Sequence, residues 1–372
     1  MNPIATASTG GAASTSNGAE RGRSFPCDRC GAELELRAGG AALQCGHCGA
    51  EHPLTVAAGA PVQENDLRAA LARQVELRRA RAGTAAARVE LGCRACGAAV
   101  TFEGTLTSTF CSFCGVPVQR ADAREAGGGV PVDAVLPFGI EGPAARAAVA
   151  AWVRGRWCAP GDFRRRAIAG DVQGVYLPFF TFDAMTATEY VGERGEHYTV
   201  KVGTGEEERE EQRTRWSPAS GSFHRFFDDR LLPAFRSLPP KLLRELEPWP
   251  LERCLPFTPE ALAGRLAHSH DLPLDECFAA ARKEMEEELA DEVEERIGGD
   301  DQRVHSIRTG WAGLTYRQLL LPAWLLAYRY NGRTYRVTVN ACTGEVVGER
   351  PWSAGKVVLA VLTLGLSLFF WR

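Results

Sequence analysis

The chain is poor in lysine, with four (Lys201, Lys241, Lys283 and Lys356) among 43 basic residues. That bias toward arginine reflects coding composition rather than function. A charge excess is also missing. The 43 basic residues face 46 acidic ones, for a net charge of -3, so composition gives no electrostatic reason to expect a nucleic acid or other polyanion as partner. There is no secretion signal: residues 1–24 are mostly Ala, Ser, Thr, Gly and Asn without an apolar core and read as a disordered leader. Without export the thiols stay reduced, which favours metal over disulfide for paired cysteines. Signatures of nucleotide and hydrolase chemistry are missing too. No phosphate-cradling G-x-x-x-x-G-K-[ST], no GxSxG and no HExxH occurs. Asp228-Asp229 beside His224 can be written as an acid/base group, but neighbouring residues of a strand point to opposite faces, so a turn or capping role is expected of them.

Cysteine is abundant, with twelve residues, eight of them in four CxxC pairs. Cys27-x2-Cys30 precedes Cys45-x2-Cys48 by fourteen residues, and Cys93-x2-Cys96 precedes Cys111-x2-Cys114 by the same fourteen. Two such turns complete a tetrahedron of thiolates around one ion, so the pattern reads as two zinc ribbons holding two structural Zn²⁺. Each pair is followed by glycine, at Gly31, Gly49, Gly97 and Gly115. This fits a knuckle whose next residue takes positive φ. Four cysteines per ion leave no open position for water, which makes the sites structural rather than catalytic. Iron in a rubredoxin-like centre and a disulfide pairing are the alternatives. His47 and His52 lie near the first set and read as surface residues. Cys158, Cys254, Cys277 and Cys342 are isolated and read as buried small residues.

The chain divides by composition into a first ribbon at 25–54, a helical linker at 62–88, a second ribbon at 90–120, an α+β unit at 131–350 and an apolar tail at 354–372. In the α+β unit, Gly142-Pro143 opens a helix with Pro in its first turn. Residues 172–182 form a dense apolar run and read as a buried strand. Thr258-Pro259 caps a helix. Residues 275–297 form a longer helix with one apolar stripe, ended by Gly298-Gly299. Leu177-Pro178 and Leu321-Pro322 each enter an apolar strand that leads to a Tyr-x-Gly turn, at Tyr190 and Tyr330, and a returning strand. This is either a duplicated strand pair or a coincidence between hairpins. The expected sheet is antiparallel, with a three-stranded meander near its end.

Residues 357–371 carry no charge and are bracketed by Lys356 and Arg372. A helix of that length spans roughly 22 Å, short of a hydrocarbon core of about 30 Å, though Lys356 can snorkel. A membrane tail anchor is the expectation; a buried or interfacial helix is the alternative. Arg333, Arg336, Arg350 and Lys356 precede the segment, which would keep the body on the cytoplasmic side of the membrane.

Ribbons often bind nucleic acid, but 25–52 carries two Arg against four acidic residues, and the 275–297 helix carries ten acidic against three basic. No basic stripe is present to collect phosphates. Phe102, Phe110 and Phe113 can stack bases but read as a small core.

Several motifs together carry a resemblance. Paired CxxCG ribbons are followed by Leu136-Pro137-Phe138, Trp157-x2-Pro160, Gly174-Val175-Tyr176-Leu177-Pro178-Phe179, Tyr190-x-Gly192, Phe227-Asp228-Asp229 and Leu321-Pro322-Ala323-Trp324. Val339-Asn340, Thr343-Gly344 and Gly348-Glu349-Arg350-Pro351 lead into the apolar tail. The chain resembles, over nearly its whole length after residue 24, the uncharacterised bacterial TFIIB-type zinc-ribbon proteins associated with membranes. These are often labelled as relatives of primosomal protein N′ (replication factor Y), a superfamily II helicase. The label implies an ATP-driven motor, yet Asp291-Glu292-Val293-Glu294 sits on the acidic helix and is no DEAH box. The combined expectation is a non-enzymatic binding or assembly protein, tethered to the cytoplasmic face of a membrane, with a protein partner. The alternative is a nucleic-acid-binding protein of replication or transcription.

Overall fold

A computed structural model describes residues 24–39, 42–54, 61–81, 89–93, 99–102, 106–110, 117–120, 130–155, 172–203, 209–236, 243–270, 272–330 and 333–349. In chain order, β1 (Leu34–Leu36), β2 (Ala42–Cys45) and β3 (Glu51–Pro53) form the first ribbon. They are followed by β4 (Asn65–Asp66) and α1 (Leu67–Arg81). The segment expected as a second ribbon holds β5 (Val89–Gly92), β6 (Ala99–Phe102), β7 (Leu106–Phe110) and β8 (Pro117–Gln119), but only β5 and β6 form a sheet of their own, and β7 and β8 belong to the main sheet. The main body runs through β9 (Ala134–Val135), α2 (Gly142–Arg154), β10 (Gln173–Val202), β11 (Arg209–Pro233), β12 (Leu255–Pro256) and β13 (Leu266–His268). It ends with α3 (Leu274–Ile297), β14 (Asp301–Tyr330), β15 (Arg333–Asn340) and β16 (Val346–Gly348).

Strands dominate, and the expected α+β unit with an antiparallel sheet is corrected accordingly. The strands of the body, with β4, β7 and β8, form one eleven-stranded mixed sheet, in which β10 pairs parallel with β13 and β14 pairs parallel with β9. The sequence pattern showed several short strands where there are three long ones. β10 and β14 each run for 30 residues, on the order of 100 Å if straight. Tyr190-Val191-Gly192 is no turn, because β10 continues through it, paired on both sides. The Tyr330 end of the comparison does fall at a strand end. The two Leu-Pro strands are immediate antiparallel neighbours, with Leu177 opposite Leu321. The Pro178 carbonyl accepts from the Ala234 amide at 3.0 Å, and that of Pro322 accepts from the Ala341 amide at 3.2 Å. Each proline cannot donate to the ladder, and each carbonyl is taken by the chain just beyond a returning strand. That correspondence favours the duplicated strand pair.

Along β10 the burial pattern changes at Asp183. Residues 175–184 are buried without interruption; exposed and buried residues then alternate over 185–189, and none is buried after Gly195. The first stretch is covered on both faces, so a continuous apolar run is required there. The second is an arm covered on one face only, by α3, which lays Ala281, Met285, Leu289, Val293 and Ile297 against Phe182, Ala184, Phe223 and Phe227. On the other face Met185 and Phe226 remain more than half exposed. Both flanking strands carry one extra residue beside Asp183. In β11 the bulge falls at Asp229 (φ 49°) and in β14 at Gly313 (φ 57°).

The helices match expectation at 142–154 and 274–297. α1 occupies the linker, entered through Asp66, whose carboxylate accepts from the Ala69 amide at 2.7 Å. Thr258-Pro259 opens only a single 3-10 turn, Pro259–Leu262. The expected membrane tether through 354–372 is also corrected: no helix among the described residues is long and apolar enough to cross a membrane, and the tail itself lies outside them.

Candidate metal centre

In the first ribbon, Cys27 and Cys30 lie on the loop before β1, Cys45 ends β2, and Cys48 lies on the turn that leads to β3. The β1–β2 ladder, with Leu34 opposite Cys45, brings the two loops together. Both knuckles have the same backbone. The Gly31 amide donates to the Cys27 carbonyl at 2.8 Å and the Gly49 amide to the Cys45 carbonyl at 3.0 Å. Gly31 and Gly49 have φ of 75° and 72°, the positive values that the glycine after each second cysteine foretold. The Cys48 amide points at Cys45 Sγ, 3.5 Å away, and so offsets thiolate charge.

The four sulfurs lie within 4.8 Å of one another. Cys27 Sγ is 3.7 Å from Cys48 Sγ and Cys30 Sγ is 3.5 Å from Cys45 Sγ. A tetrahedral ion with sulfur at about 2.3 Å separates its ligands by about 3.8 Å, so the set fits a metal. A disulfide, with sulfurs about 2 Å apart, does not describe it. Burial pushes the Cys27 thiol up, but hydrogen bonds from the Arg29 amide, His52, the Cys30 amide and Cys48 outweigh it and bring it to about 6. For Cys30 the Ala32 amide favours the thiolate, but the neighbouring Cys45, Cys48 and Cys27 sulfurs and burial push it up to about 12. Four sulfurs this close do not all ionise unaided; a divalent cation allows them to.

His52, expected at the surface, lies against the cluster. Its Nε2 is 3.6 Å from Cys27 Sγ and its Nδ1 is 3.8 Å from the Asp28 carboxylate. It sits one residue into β3, whose pairing with β2 sets His52 opposite Leu43. The only sequence signal was its closeness to the CxxC pair.

This ribbon is not a separate bead. Cys27, Leu34, Leu36, Leu43 and Cys45 are buried in one cluster with Val132, Phe138, Val149 and Leu262 of the body. The Leu36 amide donates to Ala263 O at 3.4 Å and the Gly39 amide to Phe138 O at 2.5 Å. Close fit is enforced at Gly264 (φ 72°), where an added Cβ would come within 2.5 Å of Glu35 Cγ.

Among the described residues the cysteines gather in one cluster of four, not two. Of the second set, Cys93 is buried against Leu91, Val100, Phe102 and Val118; Cys96, Cys111 and Cys114 lie outside the described residues. Phe102 belongs to this small core, as expected, whereas Phe110 is exposed. β7 joins the main sheet by pairing with β13. Cys254 and Cys342 are pushed up by burial to about 12 and about 11. With the buried Cys277, they are inert as nucleophiles; Cys158 lies outside the described residues.

Contrary to the alternation argument, Asp228 and Asp229 do meet. The positive φ of Asp229 turns its carboxylate toward the buried Asp183, and all three lie within 4.8 Å. The Asp229 amide and the Thr315 hydroxyl donate to Asp183, and Arg317 pairs with Asp229. Asp229 is thus ion-paired and Asp183 is tied into the bulge by neutral donors, while Asp228 is exposed. His224 is not part of it, standing opposite Ala187 on the arm. Asp291–Glu294 lies on α3, as expected, with Val293 buried.

No known protein family model matches this chain, and no solved structure matches it. It is 24% identical over 241 residues to the uncharacterized protein YdjG of Bacillus subtilis (strain 168). The match covers 60% of this chain and 64% of that protein, so it spans less than two thirds of the relative's length.

Proposed function

We propose that the chain is a non-enzymatic binding and assembly protein, built around two structural Zn²⁺ ions, one per ribbon, that acts through a protein partner. The observation that carries this reading is the closed four-sulfur cluster shared with the body core. A four-thiolate site offers no open position for chemistry, and its burial against Phe138 and Leu262 makes metal binding a condition of the fold around it. The inert thiols and the Arg317-paired Asp229 support it further. Zinc is named because closed tetrahedral thiolate sets are its usual structural sites; the repeat of the first spacing at 93–114 extends it to the second ribbon.

The test is elemental analysis of purified protein together with affinity capture. Two zinc equivalents per chain are expected; one equivalent would remove the second ion, and iron would replace the metal. Captured partners should be lost from a Cys93→Ser/Cys96→Ser variant. Retention of all partners by that variant, or none with the unmodified chain, overturns the assembly reading.

A further inference from the structure

β11 pairs with β10 alone among the described residues, so its other edge is unpaired. At Asp228–Pro233 this edge opens into a groove. Asp228 through Leu231 line a cavity of about 580 Å³, and Leu231, Leu232 and Pro233 line an adjoining one of about 310 Å³. Arg230 to Pro233, in regular register with β10 and pointing alternately to the two faces, line the same trough only when the strand presents its edge, and the bulge adds Asp228 and Asp229 to it. One wall is α3. The other is the segment that carries Leu243, Glu247 and Trp249.

The two cavities differ in character. The smaller is apolar, floored by Leu231, Leu232 and Leu243 and walled by Leu272, Cys277 and Ala280. The larger holds seven carboxylates and two guanidinium groups. Both arginines are committed, Arg230 to Glu288 and Arg244 to Glu284. Asp228 and Asp291 are exposed and carry no ion pair among the described residues. Glu247 is exposed too, and desolvation beside the groove walls raises its carboxyl despite Arg230 and Arg244. The trough thus combines an open strand edge, an apolar socket and an unbalanced negative end.

We propose that this groove binds an extended basic peptide segment of a partner protein. The segment would add as a strand to the free edge of β11, seat an apolar side chain in the Leu243–Ala280 socket and place lysine or arginine against Asp228, Glu247 and Asp291. Main-chain pairing supplies affinity in this mode, and the two pockets supply the preference for alternating apolar and basic residues. A neutral or acidic strand gains nothing at the carboxylate end, and a compact amine gains nothing from the edge or the socket. The inference rests on the binding-protein reading above and gives its partner a chemistry.

The experiment uses the full chain and a fluorescein-labelled, acetylated hexapeptide of alternating leucine and lysine, with a leucine–glutamate counterpart and spermine as competitors. Binding of the lysine peptide alone is expected, weakening with salt, with slowed amide exchange at 228–233. Ala280→Phe, an exposed position that fills the socket, should abolish binding. Glu287→Lys/Asp291→Lys should weaken it about tenfold without moving the thermal midpoint. Binding equal in both variants, equal binding of the glutamate peptide, full competition by spermine, or no binding at all overturns the groove. Failure here while the Cys93→Ser/Cys96→Ser variant still loses captured partners refutes the groove alone. Success here with no ribbon-dependent partner refutes the assembly role assigned to the ribbons.

Discussion

The two CxxC segments share one cysteine spacing and are attached to the body by different means. The first shares its core: Leu36 and Cys45 are buried in one cluster with Phe138 and Val149. The second keeps its own small core around Phe102 and joins through backbone pairing of β7 with β13. One junction is made of side chains excluded from water, the other of strand edges. The difference teaches that a metal-binding motif specifies a local turn but not how that turn is held, and the two junctions should respond differently to damage.

The largest contrast should come from the ligands. Cys45→Ser is expected to release the first ion and lower the midpoint of the body's main unfolding transition. Cys93→Ser should leave that transition near its original place while the second ribbon loosens. Calorimetry of both variants beside the unmodified protein decides it, and equal shifts would erase the distinction. Next in size, Leu36→Ala should cost the whole molecule about 2–5 kcal/mol by urea titration. Phe102→Ala, a comparable deletion, should be felt mainly within the second ribbon.

A third effect concerns His270, two residues beyond β13. It is buried beside Phe180, with Nδ1 3.1 Å from Gln318 Nε2, and burial lowers its pKa to about 4. A free histidine titrates near 6.5, so on acidification the unfolded chain takes up the proton first. The stability from keeping this ring neutral is complete above about pH 6.5 and is lost progressively down to about pH 4. Over that window the loss comes to about 3 kcal/mol. His270→Gln should flatten the dependence; an unchanged slope would place the acid sensitivity elsewhere. The smallest effect is expected at the edge junction itself. Thr107 Oγ1 donates to Ala267 O at 3.2 Å, and Thr107→Val should cost about 1 kcal/mol, seen as faster amide exchange in β7 and β13.

The legible parts of this molecule were those with local causes. Cysteine spacing and trailing glycines foretold both knuckle geometry and a closed site in the first ribbon. The stripe from Ala281 to Ile297 and the Gly298-Gly299 stop foretold α3. What the sequence hid depends on distant partners. The apolar run at 173–182 and the residues around Tyr190 belong to one strand, but Tyr190-x-Gly192 suggested a turn between two, because a glycine held by pairing on both sides looks in sequence like a glycine in a turn. Asp228 and Asp229 were assigned opposite directions by strand parity, and a bulge overrode it. His52 offered only its closeness to the CxxC pair, since its role arises only once β3 pairs with β2. The mixed sheet was hidden for the same reason, as its parallel pairs are made by two- and three-residue strands far apart in the chain.

The paired bulges beside Asp183 also make the arm sensitive to length rather than composition. β10 runs through unbulged while each neighbour spends one additional residue, so both neighbours re-enter the arm in step. Deleting one residue of β10 just inside the arm, such as Met185, would move Thr186 and Thr188 out of the layer under α3 and bring Ala187 and Glu189 in, for every residue out to Val202. Substituting any one of those residues would change a single contact. An indel at this hinge would exchange the inside and outside of an entire strand, so the arm should tolerate varied side chains far better than it tolerates a lost or gained codon.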